Sequence, residues 1–313
     1  DLLVSILGEV ASNYISLRTS QQQLLSAQNN IKLQQSTKEL TDSMVETGLA
    51  DSLEQAQASY QLAGTKAQIP TLNKSITSSM NRLAILLGKP AGSLEELLRP
   101  VQPIPQAELS LGLGIPADII RQRPDIRKAE RDLAAQTAKI GVATAELYPK
   151  FYLSGSIGLE SSSSTTFLSD FSRVWSIGPS VSWSLFNAGS VKNNIKIQEE
   201  LQQQSLLNYK STILTALEEV ENSLNGYNTE QKRLVFLKQA AEAARSAVEL
   251  AEQEYQTGLG NYSQVLEAQR SLLSYEENVN DCKGDVITFL VEIYKAMGGG
   301  WQSYAISTPS FIQ

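Results

Sequence analysis

SVKNNIKIQEELQQQSLLNYKSTILTALEEVENSLNGYNTEQKRLVFLKQAAEAARSAVELAEQEYQ, residues 190–256, decides the fold. It holds no proline and one glycine, Gly226. Leu206, Ile213, Val220, Tyr227 and Leu234 recur every seven residues, and Leu217 and Leu224 follow two of them by four. That spacing is the seam of a helix packed lengthwise on other helices. At 1.5 Å per residue, a helix of about 67 residues is about 100 Å long, whereas the usual globular helix has about 11–12 residues. Such a helix cannot fold back into a ball. The rest of the chain must lie beside it or cap its ends.

The composition fits. Of 313 residues 42 % are hydrophobic and only 7 % aromatic, which suits long, thin helix packing better than a thick core. A net charge of -7 argues against nucleic acid, whose phosphates need clustered Lys and Arg. There is no histidine, the commonest general base and transition-metal ligand. The single cysteine, Cys282, excludes an internal disulfide and thiolate-cluster metal sites, and reads as inert in its helix. No nucleophile–base pair is visible, so no enzyme and no cofactor is expected. No apolar run reaches the roughly 18 residues of a transmembrane helix. The chain opens at Asp1 in mid-pattern, with Leu3, Val10, Leu17, Leu24 and Ile31 already seven apart, so a fragment or processed chain is expected.

A shift of 210 residues lays the first 88 residues on Ser211 to Gly298 without a gap. Leu7, Glu9 and Val10 match Leu217, Glu219 and Val220, and Ala58, Leu62 and Gly88 match Ala268, Leu272 and Gly298. Thr47, Gly48 and Leu49 match Thr257, Gly258 and Leu259. Shared heptads do not explain a shared Thr-Gly-Leu break at the same place. Each repeat therefore reads as one helical hairpin, stopped at Gly48 or Gly258. Second helices run from about Asp51 to Leu87, bent by Pro70, and from about Tyr262 to Met297. The two turns are expected at the same end.

Between the repeats, Pro90, Pro100, Pro103, Pro105 and Pro116 mark an irregular connector, with one short helix at Ser93 to Leu98. Ala117 to Tyr148 is helical again. Its run RQRPDIRKAERD reads as an alternating-sign helix face. Two strands follow. Phe151, Leu153, Ile157 and Leu159 alternate with small or polar residues, as do Trp175, Ile177, Val181, Trp183 and Leu185 within Val174 to Phe186. Two environments fit this period: a soluble sheet on a core, or a membrane β-barrel with lipid outside and water inside. Two strands alone close no barrel.

GIPADIIRQRPDIRKAERDLAAQTAKIGVATAELYPKFYLSGSIG, residues 114–158, resembles the most recognisable stretch of TolC-like outer-membrane efflux proteins, nearest to the lipoprotein-type, OprM/NodT-like branch that serves RND pumps. WSIGPSVSWSLFNAGSVKNNI resembles that family's second strand entering a long helix. YQTGLGNYSQVLEAQRSLLSYE and GLADSLEQAQASYQLA resemble its two helical turns, and YKAMGGGW its C-terminal end. The resemblance implies a mainly α fold with a β hairpin: long antiparallel helical hairpins in a coiled-coil-like α-barrel, plus transmembrane β-barrel strands, in a homotrimer. It also implies the division 1–88 first periplasmic hairpin, 89–116 equatorial connector, 117–149 helix leading to the membrane, 150–187 barrel strands, 188–298 second hairpin and 299–313 equatorial tail. Only the second strand pair of the family's four strands is seen, and its lipidated N-terminal cysteine is not.

The resemblance further implies a passive exit duct in the bacterial outer membrane with a long periplasmic extension. Its partners would be a periplasmic adaptor (membrane fusion) protein, an inner-membrane RND transporter and outer-membrane lipid. By position in the motif, Tyr255, Gly260, Gln264 and Glu267 fall at the family's gate on the second hairpin, and Glu54 on the first. Gly260 stands where a basic residue is found and Gln264 where an acid is found, which removes an ion-pair latch to Glu54. Three copies of Glu267 would make an acidic ring. The plainer alternatives are a solvated Glu267 and a Tyr255 in seam packing. The tips Thr47, Gly48, Leu49, Thr257, Gly258 and Leu259 would dock the adaptor. A soluble coiled-coil adaptor or scaffold with a small β unit is the alternative of another class.

Overall fold

The structure, a computed structural model, describes residues 2–107, 123–162 and 170–299. The end of the expected connector, the start of the helix expected from residue 117, the middle of the serine-rich loop and the tail from residue 300 lie outside the described residues. The elements are α1 (Leu2–Glu46), α2 (Ser52–Leu86), α3 (Glu95–Leu98), α4 (Pro124–Ala145), β1 (Lys150–Leu159), a 3₁₀ turn (Asp170–Ser172), β2 (Arg173–Ser182), α5 (Ser190–Gln256) and α6 (Tyr262–Ala296). The chain is mainly helical with one antiparallel β hairpin, and the stretch 190–256 is one unbroken helix of 67 residues. Among the described residues no helix is long and apolar enough to cross a membrane.

The chain divides into two units, Asp1–Arg123 with Thr215–Gln313, and Pro124–Leu214. In the first, α1 packs along α2 and along α6. Leu17, Ile76, Met80 and Leu83 form one cluster with Leu94 and Leu98, so α3 covers the base of the first hairpin. Ile15, Tyr227, Ile287, Leu290 and Ile293 form another, with Leu224 and Leu234 against it. The predicted seam is thus in place at Val220 and Tyr227, each 4 % exposed. Leu217 departs from it at 45 % exposure, because the neighbouring Ala216 takes the inward position at 0 %.

Small residues allow the closest approaches. A Cβ on Gly226 would lie 2.4 Å from Phe289, and one on Gly284 would lie 2.5 Å from the Thr19 hydroxyl. The repeats also differ in how their bases are tied. Glu9 pairs with Arg82 across the first hairpin. Its counterpart Glu219 would face Glu292 by the same shift, and instead pairs with Arg123 at 2.8 Å. Arg123 also donates to the Ala296 carbonyl at 2.9 Å, at the end of α6.

In the second unit β1 and β2 pair in register, with Phe151 opposite Val181, Ile157 opposite Trp175 and Ser156 opposite Ser176. Directly opposed residues share a face, so Phe151, Leu153, Ile157, Trp175, Ile177 and Val181 form one side of the hairpin, and the serines, with Tyr152 and Val174, the other. The expected second strand was longer, Val174 to Phe186. The ladder ends instead at Lys150 with Ser182, because Pro149 has no amide N–H to continue it. Trp183 and Leu185 therefore lie past the strand, and the Trp183 indole donates to the Leu147 carbonyl at 3.1 Å.

Replacing Gly226 with Ala should lower the denaturation midpoint by an amount corresponding to about 1–3 kcal/mol, since Phe289 must move. Gly64→Ala, where a Cβ meets nothing within 4 Å, should raise stability by roughly 0.5–1 kcal/mol. Equal midpoints for the two variants would refute the close packing of α5 on α6.

Candidate functional site

Both hairpin turns are built from the same three residues in the same way. Gly48 has φ 76° and Gly258 φ 74°, the left-handed region that glycine adopts without a Cβ penalty. The Gly48 amide donates to the Val45 carbonyl (3.0 Å) and the Leu49 amide to Met44 (2.7 Å). In the second turn Gly258 donates to Tyr255 (3.1 Å) and Leu259 to Glu254 (2.9 Å). Each is the paired bond pattern that closes a helix C-terminus. The tip leucines have nothing to bury against: Leu49 is 75 % and Leu259 85 % exposed.

The next helices start on equivalent caps, which then diverge. Asp51 accepts the Glu54 amide at 2.9 Å, and Asn261 accepts the Gln264 amide at 3.1 Å. Glu54 and Gln264 are the same position in the two repeats. Gln264 turns its carboxamide oxygen back onto the Asn261 amide (3.1 Å) and closes a capping box. Glu54 accepts the Tyr255 hydroxyl at 3.0 Å instead. One repeat seals its own cap, while the other uses the equivalent side chain to reach the second hairpin.

Tyr255 is 2 % exposed, and its ring meets Tyr262 edge-on at 5.8 Å. Its hydroxyl also lies 3.3 Å from the Thr41 hydroxyl. Burial pushes the Tyr255 phenol up to about 12; the bond to the Thr41 hydroxyl pulls it down, and the Glu54 carboxylate adds to the rise. Tyr262 is likewise raised to about 12 by burial. Gly260 sits tightly, since a Cβ there would come 3.0 Å from Glu254 and 3.1 Å from the Gln264 oxygen. Glu267 is exposed and makes no hydrogen bond or ion pair among the described residues. The structure thus brings Tyr255 and Glu54 together, holds Gln264 and Gly260 in the cap, and leaves Glu267 by itself.

Three links escaped the sequence reading. Gln269 donates to Glu252 (2.9 Å) and to Thr37 (2.8 Å), tying α6, α5 and α1. Asn30 donates to Glu276 at 3.0 Å. Arg270 donates to Gln61 at 2.8 Å and stands over the Tyr60 ring at 5.6 Å. Tyr60 and Arg270 are repeat-equivalent positions; the signal was present, since such positions meet near the local axis of a pseudo-symmetric pair. Along α1, Asn30, Gln34, Thr37 and Thr41 are all buried, where the repeat counterparts in α5 are alanines. Both polar atoms of the Gln34 carboxamide lack a partner among the described residues. Cys282 takes no part: it is fully buried, contacts the Glu230 carboxylate at 3.1 Å, and burial pushes its thiol up to about 12.

Between pH 10 and 12 the unfolded chain gives up its Tyr255 proton while the folded chain keeps it, so stability falls as pH rises through that window. Tyr255→Phe should flatten the fall in melting temperature over this range. Identical slopes in both proteins would show that the phenol is not held protonated in the seam.

The profile of the family described as "Outer membrane efflux protein" matches residues 3–89 and 115–299. Nodulation protein T of Rhizobium leguminosarum bv. trifolii is 34 % identical over 96 % of this chain and 65 % of its own length. The solvent efflux pump outer membrane protein SrpC of Pseudomonas putida is 31 % identical over 95 % of this chain and 63 % of its own. The chain therefore spans just under two thirds of these relatives. The solved structure of the outer-membrane channel OprN superposes with a TM-score of 0.89 at 35 % identity, covering 96 % of this chain and 67 % of that one. CusC does so with a TM-score of 0.81 at 26 % identity, over 95 % and 69 %. That family is one of outer-membrane channels rather than enzymes. A match across most of the chain, with the same long hairpins and strand pair, establishes that this chain belongs to the outer membrane efflux protein family.

Proposed function

We propose that the chain forms part of the outer-membrane exit duct of a tripartite efflux pump, passively conducting small molecules from periplasm to exterior. The β hairpin carries this reading. Ile157 is 90 %, Phe151 78 %, Trp175 75 % and Leu153 72 % exposed on a single face. On the other face the Ser156 and Ser176 hydroxyls lie 2.9 Å apart. A water-soluble protein rarely leaves so large an apolar patch bare. Strands of 10 residues fit a tilted crossing of the bilayer, with the serines toward a wet lumen. The names of the relatives favour the duct over a soluble scaffold.

In this reading three copies assemble. The hairpins of residues 1–88 and 188–298 form the periplasmic tunnel, residues 89–116 and 299–313 an equatorial belt, 117–149 the approach to the membrane and 150–187 the barrel strands. The exposed Thr-Gly-Leu tips meet a periplasmic adaptor, which couples the duct to an inner-membrane RND transporter. The turns form the gate. The Tyr255–Glu54 bond holds the second hairpin against the first, and the hydroxyl and carboxamide links above it exchange for water at little cost. Exposed Glu267 lines the constriction as an acidic ring. Relatives named as a solvent efflux pump outer membrane protein and a pyoverdine export outer membrane protein support a cargo of small organic molecules.

Reconstitution in planar bilayers tests this. The protein should conduct, and Glu267→Ala should lower its cation selectivity. Selectivity that survives the substitution would remove Glu267 from the ring. Ile157→Arg should cost about 2–4 kcal/mol of membrane stability and deplete the protein from outer-membrane fractions, while Ser156→Asp on the wet face assembles. Normal assembly of Ile157→Arg would overturn the lipid-facing register.

A further inference from the structure

Where the strand hairpin passes into its helices, the second unit holds a cavity of about 420 Å³. Trp183, Leu185 and Phe186 line it together with Glu146, Asn187 and Lys192. We propose that this cavity binds the headgroup of a membrane phospholipid with an ethanolamine head, Lys192 taking the phosphate and Glu146 the ammonium. The inference rests on the outer-membrane reading above and adds a ligand to it.

Three observations support it. The rim is apolar and bare, with Phe186 99 %, Leu185 63 % and Trp183 52 % exposed. It adjoins the end of the strand ladder where Phe151 and Val181 pair, so one apolar band runs from the strands to the cavity mouth. A lipid whose acyl chains lie on that band brings its head to this depth.

The cavity is also braced. The Trp183 indole, bonded to the Leu147 carbonyl, ties the segment entering β1 to the segment leaving β2. The Asn187 carboxamide oxygen accepts the Gly189 amide at 3.2 Å, which leaves its NH₂ group to donate to a ligand.

The charges are of both signs. Lys192 has no ion pair among the described residues. Glu146 has one, to Lys150 at 3.6 Å, with both side chains close to half exposed. Such a surface pair between residues four apart contributes little, so an incoming ammonium displaces Lys150 readily. One cation and one carboxylate facing a single cavity complement a zwitterion, whereas a plain anion would meet Glu146.

The test uses protein purified from membranes, delipidated in mild detergent and titrated with dioleoyl phosphatidylethanolamine or phosphatidylglycerol under native mass spectrometry. The wild type should bind phosphatidylethanolamine about fivefold more tightly, as one extra charged contact gives. Glu146→Gln should erase that preference, and Lys192→Gln should weaken both lipids. Lys210→Gln, outside the cavity, should change neither. Planar-bilayer conductance of the same samples separates the two readings. A protein that conducts yet binds both lipids equally, or binds unchanged in Lys192→Gln, overturns the lipid site alone. A wild type that neither inserts nor conducts overturns the duct and the site with it.

Discussion

A helix of 67 residues can bury apolar surface only sideways, along its whole length. Every other part of the first unit answers that constraint. Neighbouring helices must run beside α5, which requires hairpins, and hairpins require turns that reverse the chain within a few residues. Crowded helix axes require small residues at the crossings, hence Ala216, Gly226 and Gly284. Two neighbours still do not cover a long helix on all sides. Leu207, Leu214 and Phe236 remain 64 %, 66 % and 70 % exposed on α5. In the duct proposed above, a ring of copies would give such flanks a partner.

The two hairpins share a plan and differ in chemistry. At the bases, one Glu finds Arg82 within its own hairpin while its counterpart finds Arg123 from the connector side. At the turns, identical glycine stops lead into equivalent caps, yet one N3 side chain closes inward and the other reaches across. Along the seam, alanines of α5 correspond to carboxamides and hydroxyls of α1. Where the two hairpins meet each other, hydrogen bonds of α1 and of Glu54 carry part of the contact.

The long helix, the repeat, both stops and the two-faced strands were legible because each is written in local period or local turn chemistry. The end of β2 was not. Alternation continues through Trp183 and Leu185, and only the partner strand's Pro149 shows that the ladder stops. Leu217 obeys the heptad and still faces outward, because the neighbouring Ala216 lets the helix rotate inward on a smaller side chain. The links of Tyr255 to Glu54 and of Gln269 to Glu252 join residues far apart in sequence or one helix removed. No periodicity specifies such contacts. The Tyr60–Arg270 pair was accessible in principle, through the symmetry the repeat already implied.

Gly226 and Phe289 correspond to Ser16 and Ser79 in the first repeat. The snug pair thus belongs to one copy of the duplication, and its two members lie on different helices of that copy. An unequal crossover between the repeats would set Ser16 against Phe289, with no room for its Cβ, or Gly226 against Ser79, with too little to fill the space. A hairpin joining halves of the two repeats would therefore lose the close contact of Gly226 with Phe289.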